Sequence, residues 1–207
     1  MKTSFICFCI LLCITERAFT QADSTAAQHP WKVHAEVSAF IFPDDFFLSP
    51  VVWVKKNHLH LEARYNYEDF QTAAAFAGYN VEVGNELFLM ATPMLGFCAG
   101  NTDAILPALE FELMYGKFGW YGEAEYAFDL HDSGDNFWSF WSELYYSPAD
   151  WTWFGFSAQK LRTDEDGLDV QRGLFWAVQK NWFVVTGYYF NPFTGDQFAL
   201  LNLGVTF

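Results

Sequence analysis

Phe198-Ala-Leu-Leu-Asn-Leu-Gly-Val-Thr-Phe207 alternates with a period of two. Successive side chains of a strand point to opposite faces, so Ala199, Leu201, Leu203, Val205 and Phe207 share one side and Leu200, Asn202, Gly204 and Thr206 the other. The first side is apolar throughout and finishes on an aromatic ring. The second mixes apolar and polar groups, as a wall between a greasy exterior and a partly wet interior requires.

The same alternation recurs upstream. In His58 to Glu68, Leu59, Leu61, Ala63, Tyr65 and Tyr67 interleave with His58, His60, Glu62, Arg64, Asn66 and Glu68. From Val33 onward twelve such segments are expected, near 33–42, 50–55, 58–68, 71–83, 86–98, 105–115, 118–129, 136–146, 151–162, 169–179, 182–190 and 197–207, with no convincing helix. A soluble β-sandwich shares the alternation but does not need polar inner faces on nearly every strand. A membrane barrel does, because one face meets lipid and the other the lumen. Pro93 and Pro107 each lack a ladder donor and predict a bulge or strand end where they fall.

The connections alternate as well. Lys55-Lys56-Asn57, Val83-Gly84-Asn85, Gly116-Lys117, Ser147-Pro148-Ala149-Asp150 and Lys180-Asn181 are short. Pro43 to Ser49, Glu68 to Gln71, Ala99 to Ala104, Leu130 to Asn136, Thr163 to Asp169 and Asn191 to Asp196 are longer and rich in acid, whereas four lysines sit in the short turns. These features predict an all-β, transmembrane antiparallel up-and-down barrel of about twelve strands. Trp53, Tyr65, Tyr67, Trp120, Trp138, Tyr146, Trp176 and Tyr189 take the outward parity expected of interfacial aromatics.

In its closing strand and its alternating connections the chain resembles the outer-membrane β-barrel proteins of Gram-negative bacteria as a broad class. The resemblance implies short periplasmic turns, longer external loops and both barrel termini in the periplasm. It further implies that Leu203, Val205 and Phe207 are read by the barrel-assembly machinery, and that the last strand closes against 33–42. Partners on this reading are periplasmic chaperones, outer-membrane lipid and lipopolysaccharide.

The N-terminus fits export. Lys2 precedes the apolar run Phe5 to Ile14 and a polar stretch ending near Thr20-Gln21-Ala22, which reads as a secretory signal over 1–22, followed by a short periplasmic segment, 23–32, and the barrel, 33–207. Removing the signal takes Cys7, Cys9 and Cys13 with it and leaves Cys98 alone, so no internal disulfide is expected. The run is too short to span a bilayer as a helix, and nothing later has the eighteen or so apolar residues a spanning helix needs. A formal net charge of −14 argues against nucleic acid as a partner.

Inward parity collects carboxylates. Glu62, Arg64, Glu110, Glu112, Glu123, Glu125 and Glu143 form an expected polar lumen cluster, with Glu36, Glu82, His34, His58 and His60 also inward. The Gly116-Lys117 turn sets Tyr115 opposite Phe118 and hence Glu110 beside Glu123. Such a row must be neutralised by protonation, cations or basic groups. It serves either a stiff hydrogen-bonded interior or a constriction that attracts a cation or small solute. Phe76, Phe88, Met90, Met94, Trp141, Trp153 and Phe175 form an apolar counterpart. On the outer face Lys160, Arg162 and Arg172 gather near one loop and suit lipopolysaccharide phosphates.

No Gly-x-Ser-x-Gly elbow occurs, and Ser139, Ser142 and Ser157 have no outward histidine beside them, so no catalytic residue is assigned. No cofactor or metal is assigned either: His58 and His60 share a strand face and need a third ligand from elsewhere. The functional expectation is a narrow porin-like channel or a structural barrel, with a lipid-binding or lipid-modifying barrel as the alternative.

Overall fold

The computed structural model describes residues 30–160 and 170–207. The expected signal segment and most of 23–32 lie outside the described residues. The strands are β1 (Lys32–Ile41), β2 (Phe46–Lys56), β3 (Leu59–Tyr65), β4 (Ala73–Tyr79), β5 (Val81–Val83), β6 (Leu87–Ala99), β7 (Ala104–Tyr115), β8 (Phe118–Asp129), β9 (Phe137–Ala149), β10 (Thr152–Lys160), β11 (Gln171–Lys180), β12 (Phe183–Phe190) and β13 (Phe198–Thr206). Each pairs antiparallel with its sequence neighbours, except that β4 passes over β5 to pair with β6, and β13 returns to β1 from His34–Thr206 to Ile41–Ala199. The sheet therefore closes as a twelve-position barrel with one extra strand. Closure matters because an open edge in hydrocarbon leaves backbone groups with no water to bond.

The extra strand corrects the single segment expected over 71–83. Asn80 interrupts it, yet Gly78 pairs with Met94 and Val81 with Ala91 in one unbroken register, so β5 continues β4. That register sets Pro93, which has no N–H to offer, opposite Tyr79. Asn80 turns inward instead: its N–H donates to His58 O at 2.7 Å and its side-chain oxygen accepts from the Thr92 hydroxyl at 2.7 Å. Neither proline makes the bulge or strand end expected of it: Pro93 lies within β6 and Pro107 within β7, and at Pro107 the β7–β8 ladder only lapses between Ile105–Phe128 and Ala108–Glu125 without a change of register.

Turn chemistry explains one end of the barrel. Asn57 (φ 54°), Gly116 (φ 59°) and Asn181 (φ 55°) each open a tight hairpin in the left-handed region, which asparagine and glycine enter at least cost. The other end carries 42–45, 66–72, 100–103, 130–136 and 191–197, while most of the loop after Lys160 lies outside the described residues. The first of these is shorter than expected, because Phe46 and Phe47 extend the ladder against Ile41 and Phe40.

The outer wall is apolar: Leu95, Phe97, Phe154, Phe156, Leu174, Trp176, Leu201 and Leu203 are all exposed, the dress of a transmembrane barrel. Toward the loop end the interior is filled by two clusters. Phe40, Phe190, Phe198 and Leu200 form one, with Phe190 and Phe198 stacked at 4.9 Å. Phe76, Met94, Cys98 and Leu106 anchor the other. Cys98 is free and buried.

Candidate functional site

Strand β3 carries His60, Glu62 and Arg64 on its inner face, two residues apart, and this spacing builds the centre of the lumen. Arg64 Nε donates to Glu62 Oε1 at 2.5 Å, and Nη1 reaches across the barrel to Glu123 Oε1 on β8, also at 2.5 Å. Glu68 and Glu125 approach the same Nη1 at 3.6 Å, an electrostatic rather than a hydrogen-bonding distance. The guanidinium lies between the rings of Tyr67 and Phe76, 4.4 and 4.5 Å from their centroids. Phe76 lies flat because Gly96, beneath it, has no side chain; a Cβ there would overlap the ring. Tyr67 then donates its hydroxyl to Glu123 Oε2 at 3.0 Å.

One arginine thus faces four carboxylates within 4.0 Å. Unit charges 4 Å apart interact by about 4 kcal/mol at an effective dielectric near 20, so no single cation offsets this set. Both oxygens of Glu68 and of Glu125 are buried without a hydrogen-bond partner, as is Arg64 Nη2.

A second row continues toward the turn end. Glu110 stands opposite Glu123, as the hairpin count predicted, Glu112 opposite Tyr121, and Tyr121 opposite Glu143. Glu112 accepts from the Tyr145 hydroxyl at 2.5 Å, and Glu143 Oε1 from Trp141 Nε1 and the Tyr188 hydroxyl, both at 2.8 Å. His34 stacks on Trp53 at 4.9 Å and lies 3.2 Å from Glu36.

Three cavities follow one another along the axis. The central one, about 320 Å³, shares Tyr121, Glu143 and Trp153 with a turn-end cavity of about 430 Å³. It shares Phe40, Tyr67 and Trp141 with a loop-end cavity of about 170 Å³. The central wall holds five glutamates, 36, 62, 110, 123 and 143, and one arginine.

All seven residues of the expected polar cluster point into the barrel, and Arg64 gathers Glu62, Glu123 and Glu125 about it. Lys160 and Arg172 share the outer face: Arg172 pairs with Ala158, two residues before Lys160, whose ammonium lies 4.5 Å over Trp138. Arg162 lies outside the described residues. Leu203 and Phe207 are exposed on the outside.

Two aromatic residues expected outside face the lumen instead. Trp53 lies in Val51-Val52-Trp53-Val54, apolar on both parities, and its register with His34 and Glu62 turns it inward. Tyr67 lies past the end of β3, where the left-handed backbone of Asn66 (φ 55°) breaks the period of two. The role of Glu68 was legible only in its spacing of four from Arg64.

No protein-family model matches the sequence, and a search of curated proteins finds no match. Among solved structures the fold is similar to the KdgM porin, with a TM-score of 0.57 and 10% identity over 84% of this chain and 98% of that one. It is likewise similar to the KdgM porin in complex with disordered oligogalacturonate, at 0.58 and 9% over 85% and 98%. Pseudomonas aeruginosa OccK5 (OpdH) matches at 0.43 and 11% over 82% and 62%. The fold is that of the outer-membrane porin barrels.

Proposed function

We propose that this chain is a narrow porin-type channel of a bacterial outer membrane that passes small cations in preference to anions, with its tight turns and both termini on the periplasmic side. The observation that carries this reading is the central cavity, where five glutamates and one arginine line a wall shared with cavities toward either end. A wall of one sign in a low-dielectric setting concentrates counter-ions and repels co-ions. Oligogalacturonate, present in the KdgM complex, is a polyanion. The lumen here suits the opposite charge.

The test is conductance of the purified barrel in planar bilayers under a salt gradient, in buffer containing EDTA. A reversal potential on the cation side supports the reading. Anion preference, or no unitary steps, overturns it, and the second outcome favours a structural barrel stiffened by the Arg64 network. On the outer wall, Lys160 and Arg172 are proposed to meet lipopolysaccharide phosphates.

A further inference from the structure

Glu62 and Glu110 line the central cavity, and His60 lies buried beside Glu62, a grouping that ion passage does not need. His60 and Glu62 on β3 and Glu110 on β7 each bring one ligand atom, an imidazole nitrogen and two carboxylate oxygens, to within 4.8 Å of one another. We propose that these three residues bind one divalent transition-metal ion of the zinc class on the lumen wall. The pair weighed from sequence, His58 and His60, is not the one that meets: Glu62 stands in place of His58, whose Nδ1 lies 2.9 Å from Asn80 O. The third ligand, Glu110, comes from β7, which the curvature of the barrel brings round to face β3.

Three observations support a bound cation rather than a bare acidic patch. First, His60 is wholly buried and its Nδ1 has no hydrogen-bond partner. Ligation of the ion by Nε2, the nitrogen that faces Glu62, leaves the ring proton on Nδ1 and presents the neutral imidazole that binds metals. Second, His60 Nε2 lies 2.7 Å from Glu62 Oε2. Neighbouring ligands of one ion held at 2.0–2.2 Å stand roughly 3.3 Å apart in a tetrahedron, so a small side-chain shift admits the ion between them. Third, the nearby positive charges leave Glu110 and one oxygen of Glu62 unpaired with a cation: Arg64 takes Glu62 Oε1, while Glu62 Oε2 faces His60. Arg64 is held by Glu62 and Glu123, and Lys55 Nζ lies 4.5 Å over the Trp53 ring. Among the described residues the Glu110 carboxylate has neither an ion pair nor a hydrogen bond, and it stands opposite Glu123.

The donor set selects the metal. Magnesium and calcium take oxygen ligands, whereas an imidazole beside carboxylates suits zinc and its neighbours. Water completes the coordination from the cavity. An ion held there neutralises the wall at the height of Arg64 and narrows the lumen.

Zinc binding to the full-length barrel in detergent, stripped with chelator and then dialysed, tests this by calorimetry and by metal analysis after gel filtration. One zinc per chain is expected. His60→Gln and Glu110→Gln should each weaken binding at least tenfold, while Glu143→Gln, elsewhere on the same wall, should leave it unchanged. Magnesium in excess should not displace the zinc. Absence of stoichiometric zinc, equal affinity in Glu110→Gln, or displacement by magnesium overturns the site. Glu110→Gln keeps the test decisive should His60→Gln fail to fold. The site stands apart from the channel reading, because cation preference is measured in EDTA: a cation-selective barrel without zinc loses only the metal site, and a zinc-binding barrel without conductance loses only the channel.

Discussion

Val33 and Phe207 exchange both backbone hydrogen bonds, the Val33 N–H to Phe207 O at 3.0 Å and the Phe207 N–H to Val33 O at 2.8 Å, and so pin the turn end of the β1–β13 seam. The Phe207 ring stacks on Trp182 at 5.9 Å, and the Thr206 N–H donates to Trp182 O at 2.8 Å. The residue therefore ties β13 to both neighbours. Deleting Phe207 should reduce the fraction of heat-modifiable, membrane-inserted barrel. Phe207→Ala keeps the two backbone bonds and should lie between the deletion and the wild type. Equal insertion of all three would show that neither seam nor ring is needed.

Arg64 is the hub of the lumen, and its removal strands the carboxylates it holds. Breaking one side of a buried ion pair costs about 3–5 kcal/mol, because the remaining charge loses its compensation. Arg64→Gln should lower the urea midpoint of the barrel in lipid vesicles accordingly. Replacing both partners is milder, so Arg64→Gln with Glu123→Gln should recover part of the loss. The single variant should also make the lumen more cation-preferring in bilayers. A double variant no more stable than the single one would mean that Glu123 is not the partner that matters.

The closed sheet was legible because its period is two and its connections alternate in length, features that survive without any knowledge of contacts. The Tyr115–Phe118 pairing followed from one tight turn, and the Glu110–Glu123 contact followed from that. What spacing cannot reach is the far side of the barrel. Arg64 and Glu123 lie on β3 and β8, and no count along the chain links them until closure fixes which walls face each other. Parity alone fails for Trp53, where both faces of the strand are apolar, and for Tyr67, where a left-handed residue resets the phase. Position in a strand is written locally, whereas position across a lumen is a property of the whole ring.

At the loop end His131 Nε2 lies 2.9 Å from Asp103 Oδ2, linking 100–103 to 130–136. The hydrogen bond from His131 holds the Asp103 carboxyl below its ordinary range, and the same bond raises the imidazole above its own. The raised histidine contributes fully below its unfolded value, and that contribution fades as pH rises through the folded one. The lowered aspartate contributes above its unfolded value, and that contribution fades as pH falls through the folded one. The link is thus strongest between the two. His131 should titrate in NMR spectra with a midpoint above 6.5 and return toward 6.5 in Asp103→Asn. A wild-type midpoint at or below 6.5 would discard the pairing.

Lys160 and Arg172 share the outer face at the loop end, with Lys160 also lying over Trp138. Phosphate is bound by guanidinium in two-point contact and by ammonium as a point charge, so the two differ in how replacement should act. Lys160→Gln and Arg172→Gln together should reduce the lipopolysaccharide that copurifies with the barrel. Arg172→Lys should retain part of it, since the charge persists while the fork is lost. Stability in detergent without lipopolysaccharide should stay within about 0.5 kcal/mol of wild type, as expected for exposed charges. If the double replacement retains as much lipopolysaccharide as the wild type, these side chains do no more than cap their strands in water.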